Sequence, residues 1–161
     1  MILGKSTGMN AICLFLFLLT SCSDDNKDAG NDDLKGMANV ISVSATGEPG
    51  SYTFSVGINS PDKGCDQYAD WWEVVSSDEK LLYRRILAHS HIDEQPFVRS
   101  GGPVAIEADE EVWIRAHMNN SGYGGDTFKG SVKNGFSKAA APEKFALALE
   151  KQDPLPGPCP F

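Results

Sequence analysis

The three histidines of this 161-residue chain are the side chains best suited to metal chemistry. His89 and His91 stand two positions apart near the end of a predicted strand, so both imidazoles would project from the same side of it. His117 stands near the end of another predicted strand. If these two strand ends meet at one pole of a sheet, the sequence predicts a cluster of imidazoles there.

Two further side chains could complete such a cluster. A hairpin that pairs Val75 with Leu81 would bring Cys65 opposite His91, and Asp93 follows shortly after. Imidazole, thiolate and carboxylate ligands suit Zn²⁺ or Cu²⁺. The alternative is that the histidines are separate rim residues and that the protein holds no cofactor. That interpretation is preferred, because three histidines are ordinary for a chain of this length.

Four aromatic residues form a second candidate site, a platform for a ligand. They are Trp71, Trp72, Trp113 and Tyr123, and they accompany the arginines Arg84, Arg85 and Arg115. If their strands are adjacent, they form an exposed aromatic–guanidinium stack, and such a surface could bind sugar rings. Purely structural stacking is the alternative. The polar, glycine-rich loop 119–126 is suited to contact with a protein partner.

Sequence motifs typical of enzymes are absent. The chain has no Gly-x-Ser-x-Gly elbow, no His-Glu-x-x-His pair, no phosphate-binding loop and no dinucleotide fingerprint. The preferred function is therefore a non-catalytic binding or structural module with an unknown protein or glycan ligand. A metal-binding protein or metal-dependent enzyme that uses the histidines is the alternative.

The hydrophobic pattern from residue 38 onward has a period of two. Tyr52, Phe54, Val56 and Ile58 alternate with polar or small residues, which is typical of a half-buried strand. Further strands are predicted at 40–45, 71–75, 81–87, 104–107, 112–118 and 128–136. The segments 71–75 and 81–87 are predicted to form one hairpin, and the segments 104–107 and 112–118 another. Turns rich in Gly, Pro and Asp separate them, which indicates an all-β antiparallel sandwich over residues 38–137.

One segment of this pattern is similar to a known family of β-sandwich domains. Residues 111–124 (EVWIRAHMNNSGYG) resemble the F strand and F–G loop of fibronectin type III domains, and residues 50–56 would be strand B. The resemblance implies a fibronectin type III or immunoglobulin-like sandwich. In that fold the strand 112–118 would lie antiparallel beside the strand 71–75, which places His117 at the pole of His89 and His91.

A single short helix is predicted beyond the sandwich. The run from Pro142 to Lys151 has a proline near its start, an early Glu, a late Lys and good helix formers between them. Phe145 and Leu149 stand four positions apart and would pack on the sandwich. Residues 138–161 are therefore predicted to be a C-terminal helix followed by a proline-rich tail.

The N-terminus has the anatomy of a secretory signal. Lys5 precedes an apolar run at 11–19, which is shorter than the roughly 20 residues that a membrane-spanning helix needs. The following Leu-Thr-Ser-Cys sequence, 19–22, resembles the lipobox of bacterial lipoproteins. That resemblance implies a signal peptide over residues 1–21 and lipidation of Cys22, including a palmitate chain.

Residues 22–37 are predicted to be an acidic tether, because they are too polar to bury a core. Acidic residues directly behind a lipidated cysteine resemble the export signal of lipoproteins displayed on the bacterial outer membrane, which implies surface exposure. The periplasmic face is the alternative. The membrane is therefore expected to be a partner through the lipid anchor, whereas the net charge of −8 argues against nucleic acid as a partner.

The four cysteines are expected to have different roles. Cys13 would leave with the signal and Cys22 would carry lipid, so Cys65 and Cys159 would remain in an oxidising compartment. A disulfide between them would stabilise the fold by roughly 4–5 kcal/mol, because it closes a long loop. Alternatively the stiff proline-rich tail does not dock, and the Cys65 thiolate stays available to a metal.

Overall fold

The computed structural model describes residues 36–160, together with Met1 and Gly4, and consists of eight strands in two antiparallel sheets. The strands are β1 (Asn39–Glu48), β2 (Ser51–Asn59), β3 (Ala69–Ser76), β4 (Leu81–Ile86), β5 (Phe97–Val104), β6 (Val112–Met118), β7 (Thr127–Ser131) and β8 (Gly135–Ala139). One sheet has the order β1-β2-β5 and the other β4-β3-β6-β7-β8. The predicted all-β sandwich is confirmed. The predicted signal peptide, Cys22 and most of the predicted tether lie outside the described residues.

The core lies between the two sheets and follows the period of two. The predicted inward residues of β2 are all buried, and they face Trp72 and Val74 of β3 across the sandwich. Further core residues come from β5, from the chain directly after β5, and from β6: Phe97, Val104, Ile106, Val112, Ile114, Ala116 and Met118. Each large side chain that leaves water contributes about 1.5–3 kcal/mol, so this cluster supplies most of the force that holds the sheets together.

The hairpin of β3 and β4 has the predicted first pair but not the predicted continuation. Val75 lies opposite Leu81, and a register shift follows at once. β4 ends at Ile86, so His91 lies beyond the ladder and does not pair with Cys65. A single irregularity displaces every later pair by one residue, which is why the predicted register is wrong at this end.

The hairpin predicted from 104–107 and 112–118 is wrong, because β5 pairs with β2 and lies in the other sheet from β6. β5 contains a Gly-Gly-Pro run, which is typical of a turn, so the sequence pattern does not indicate a strand there. Gly101 is required there, since a Cβ at this position would lie 2.5 Å from the Tyr83 hydroxyl. Pro103 is tolerated because β5 is an edge strand of its sheet.

The last predicted strand, 128–136, is two strands. β7 and β8 form a hairpin that pairs Thr127 with Ala139 and Ser131 with Gly135. Gly135 has φ of 80°, a conformation that glycine adopts without steric cost, and this closes the turn. The described sheet therefore ends at β8, one strand further than the sequence pattern indicates.

The chain after β8, residues 140–160, is called here the C-terminal segment, and it packs on the outer face of the five-stranded sheet. Phe145 and Leu149 are buried there against Val75 and Trp113, as the helix prediction expected of this pair. The helix itself is shorter than predicted: a turn precedes a five-residue 3₁₀ helix, Leu147–Lys151, because Ala146 takes a left-handed conformation. No helix among the described residues is long and apolar enough to cross a membrane.

A disulfide joins Cys65, in the connection between β2 and β3, to Cys159 near the end of the C-terminal segment. The two cysteines are 94 positions apart in the sequence, so the bond closes most of the domain into one loop. It fixes the proline-rich tail to the body of the sandwich.

Removal of this bond should destabilise the domain. Cys159→Ser is expected to lower the free energy of unfolding by about 2–5 kcal/mol, because the unfolded chain regains the conformations that the loop closure excludes. Urea denaturation under oxidising conditions measures the difference. A reducing agent should bring the parent to the stability of the variant and leave the variant unchanged. A variant as stable as the oxidised parent would contradict this role.

Candidate functional site

A buried carboxylate organises the outer face of the five-stranded sheet. Glu73 lies opposite Arg84 of β4 and opposite Arg115 of β6, so three adjacent strands place these side chains in one row. Arg84 Nε donates to one Glu73 oxygen at 2.8 Å, and Arg115 Nε donates to the other at 2.7 Å. Glu73 is 0% exposed, and a carboxylate without these partners could not be buried at acceptable cost.

The remaining N–H groups of the two arginines hold the C-terminal segment. They donate to five of its backbone carbonyls: Arg115 to Phe145 and Ala146, and Arg84 to Leu149, Gln152 and Pro154. Two of these carbonyls also accept i→i+3 bonds within the segment: that of Ala146 from the N–H of Leu149, and that of Leu149 from the N–H of Gln152. The arginines therefore explain why this segment docks on the sheet.

The predicted stack of aromatic rings and guanidinium groups is present, but it is covered. Arg84 lies 4.4 Å from the centroid of the Trp71 ring, and Arg115 lies 3.6 Å from that of Tyr123. Trp71 is only 3% exposed and Trp113 9%. The expectation of an exposed platform is therefore wrong, because the C-terminal segment lies across this face.

Trp72 and Tyr123 differ from the other two predicted platform residues. Trp72 points to the opposite side of β3 and is part of the core between the sheets, because neighbouring residues in a strand face opposite ways. Tyr123 is half-buried, and burial together with the nearby Glu73 carboxylate raises the pKa of its hydroxyl. Of the four, Tyr123 alone lines a cavity described below.

His117 is engaged in the same buried face. Its ring stacks on that of Trp71, with centroids 3.6 Å apart, and its Nδ1 lies 2.7 Å from Asp70 Oδ1. Burial raises the pKa of the Asp70 carboxyl, and the hydrogen bond to His117 partly offsets that effect. Nε2 of His117 lies 3.5 Å from Glu150 of the C-terminal segment. These contacts give His117 a structural environment of aromatic rings and carboxylates.

His89 and His91 stand apart from His117. Their rings stack on each other at 4.7 Å, and His91 also stacks on Phe97 at 4.0 Å. Burial lowers the pKa of His91, which favours its neutral form. The backbone N–H of His91 donates to buried Asp62.

The structure does not bring the five proposed metal ligands together. Cys65 is bonded to Cys159, Asp93 lies in a 3₁₀ turn after the histidine pair, and His117 contacts Trp71. Among residues 36–160, no group of three or more His, Cys, Asp or Glu side chains is arranged to hold a metal ion. Antiparallel geometry can bring strand ends to one pole, but it does not decide which way loop residues turn beyond the ladder.

The path of the chain before β7 creates an opening beside β6. The ladder between β6 and β7 ends at the pair Ile114 and Phe128. Before that point the chain contacts β1: Val40 N–H donates to the Asp126 carbonyl at 2.9 Å. Gly125 allows this approach, because a Cβ there would lie 2.0 Å from the carbonyl oxygen of Ala38.

Because the chain before β7 leaves β6 in this way, a groove of about 480 Å³ lies between loop 123–127 and residues 138–147. Apolar side chains and small residues dominate its lining: Ala116, Tyr123, Ala139, Ala140, Ala141, Pro142, Phe145 and Leu147. Its charged side chains are mostly engaged, since Lys138 pairs with Asp126 at 2.5 Å and Arg115 binds Glu73. A concave, largely apolar surface of this kind suits the apolar part of a ligand.

Sequence reasoning missed this groove. It depends on residues 140–147, of which the pattern assigns 142–147 to a regular helix, and on the path of residues 123–126 towards β1. The Gly124-Gly125 pair was the only local signal, and it indicates no more than an unusual backbone path. Cys22, the predicted lipidation site, lies outside the described residues.

Loss of the central carboxylate should unfold the outer face. Glu73→Gln is expected to lower the free energy of unfolding by about 3–5 kcal/mol, because it leaves two buried guanidinium groups without a counter-charge. Chemical denaturation measures the loss. Glu111→Gln is the matched control: Glu111 is half exposed and pairs with Lys129 at the surface, so about 1 kcal/mol or less is expected. Equal effects of the two substitutions would contradict a central role for Glu73.

Comparison with known proteins relates the chain to a lipoprotein. A protein of Halomicrobium mukohataei named "Putative lipoprotein" is 34% identical over 116 residues. The aligned region covers 71% of this chain and 57% of that protein, so the chain spans little more than half the length of its relative. No family model and no solved structure matches the chain. The relative supports the lipoprotein nature predicted from the lipobox-like sequence at residues 19–22.

Proposed function

We propose that this chain is a lipid-anchored envelope protein that presents a non-catalytic binding module. In this proposal residues 1–21 are the signal peptide, Cys22 carries the lipid with its palmitate chain, and residues 22–37 form the tether. The name of the relative from Halomicrobium mukohataei supports the anchor. The acidic composition behind Cys22 supports display on the outer surface of an outer membrane, with the periplasmic face as the alternative.

The module is proposed to be a fibronectin type III or immunoglobulin-like domain. Its strand order supports this, since β1-β2-β5 opposite β4-β3-β6-β7 corresponds to strands A-B-E opposite C′-C-F-G of such sandwiches, with β8 as an additional edge strand. The sequence predicts a sandwich domain over residues 38–137 and a separate helix and tail over residues 138–161. Because Arg84 and Arg115 bind the C-terminal segment, we propose that it belongs to the same module.

The groove beside β6 carries the proposal of a binding function. Its lining is largely apolar, and Arg115, which is paired with Glu73, holds one wall at Phe145 and Ala146. Within that lining the charged groups are ion-paired except for Glu143 at the exposed rim, so the groove offers a surface for contact rather than an acid–base pair for catalysis. We propose a protein or glycan ligand. The metal-dependent alternative has no geometric support among the described residues.

The anchor is tested by its cysteine. Cys22→Ala is expected to abolish lipidation, so the protein should move from the detergent phase to the aqueous phase in a phase-separation assay. Cys13→Ala, inside the predicted signal peptide, is the matched control and should leave partition unchanged. Partition of Cys22→Ala into detergent in the manner of the parent would contradict the proposed anchor.

The groove is tested by obstructing it. The full chain in lipid nanodiscs is screened against a glycan array and against phage-displayed random peptides. Ala140→Arg places a long charged side chain in the groove and should weaken the binders by about tenfold or more. Ala148→Arg, an exposed residue of the 3₁₀ helix outside the groove lining, is the matched control and should leave binding unchanged. Binding that is insensitive to Ala140→Arg would contradict the groove as the ligand site.

A further inference from the structure

One edge of β6 faces the groove. Beyond the end of the β6–β7 ladder, Met118 exchanges two backbone hydrogen bonds with Gly122, at 3.0 and 2.9 Å, on the side away from β3. On the opposite side, Asn119 N–H donates to the Tyr68 carbonyl next to β3. Backbone groups of a strand alternate sides from one residue to the next. The even-numbered residues of β6 therefore direct their N–H and C=O groups towards the position of β7.

Ala116 is left without a strand partner on that side. Ile114, two residues earlier, pairs with Phe128, and Met118, two residues later, bonds to Gly122. No residue of β7 pairs with Ala116, because the chain before Thr127 has crossed to β1. Ala116 is 3% exposed and lines the groove, and a buried backbone donor and acceptor need partners.

The opposite wall of the groove is also extended chain. β8 pairs with β7 as far as Ala139, opposite Thr127, and the next residues, Ala140 and Ala141, line the groove. The groove thus lies between β6 and the continuation of β8, where β7 would run if it were longer. Its shape is that of a vacated strand position, bounded by backbone on both sides.

We propose that the groove accepts a short extended peptide segment, which pairs its backbone with Ala116 in the position that β7 vacates and places a large apolar side chain against Phe145. This inference rests on the proposed binding function and names its ligand class. A peptide residue carries one C=O and one N–H at the spacing of the Ala116 pair, which is the basis of recognition by strand addition. Tyr123, Phe145 and Leu147 supply the apolar contacts.

Pairing with Ala116 predicts one sensitive backbone nitrogen in the ligand, because Ile114 and Met118 on either side of Ala116 already have partners. Short peptides enriched from the phage library on the full chain are resynthesised with one backbone nitrogen methylated at a time. Methylation of the nitrogen that pairs with Ala116 should weaken binding by about tenfold or more, and methylation of its immediate neighbours should have little effect, because their N–H groups point away from β6.

A measurement on the protein reports the same contact. The amide proton of Ala116 should exchange with solvent about tenfold or more slowly when the peptide is bound. The amide of His117 is the internal control, since it faces β3 and is already paired there. The enriched peptides should also share a large apolar residue, whose replacement by Ala removes binding.

The outcomes separate this inference from the proposed function. Ligands that Ala140→Arg weakens, but whose methylation scan shows no single sensitive nitrogen between two insensitive ones, overturn strand addition and leave the groove as a binding site. Enrichment of glycans alone, sensitive to Ala140→Arg, does the same. A concentration-dependent dimer that Ala140→Arg dissolves identifies a second copy of the chain as the occupant and overturns the peptide. Binders insensitive to Ala140→Arg overturn both proposals.

Discussion

The structure depends on one buried carboxylate. Glu73 lies at the centre of the outer face of the five-stranded sheet, between Arg84 and Arg115, and all three side chains are buried. Each arginine satisfies the carboxylate with part of its guanidinium group and uses the remainder to bind backbone carbonyls of the C-terminal segment. The charge on Glu73 thereby decides where this segment lies, because without it neither arginine could remain buried on the sheet.

That constraint also builds the groove. Residues 138–147 form one wall, and Arg115 holds it at Phe145 and Ala146. The other wall is loop 123–127, which is fixed by its hydrogen bonds to β1. The ordering of flexible walls on binding costs affinity. The walls of this groove are ordered before a ligand enters, so that cost does not arise. The ion pair of Glu73 with Arg115 and the path of the chain before β7 thus act together on one cavity.

Much of the fold follows from local patterns, and its errors have local causes. The alternation at Tyr52, Phe54, Val56 and Ile58 fixes β2, because a strand with one buried face must show this period. β5 could not be predicted, since its Gly-Gly-Pro run is typical of a turn and is compatible with a strand only at a sheet edge beside Tyr83. The helix after Pro142 is reduced to the 3₁₀ helix Leu147–Lys151 because Ala146 takes a left-handed conformation, which the local sequence does not indicate.

The sequence by itself determined the all-β class, the hydrophobic face of β2 and the lipobox-like N-terminus, because each depends on the order of contiguous residues. Only the tertiary structure decided the site. Trp71 and His117 are buried because the C-terminal segment lies across them. His91 lies apart from His117 because it follows the end of the ladder between β3 and β4. The groove arises because residues far apart in the chain, Asp126 and Val40, form a hydrogen bond that draws the chain away from β6. Long-range contacts of this kind leave no periodic signal in a sequence.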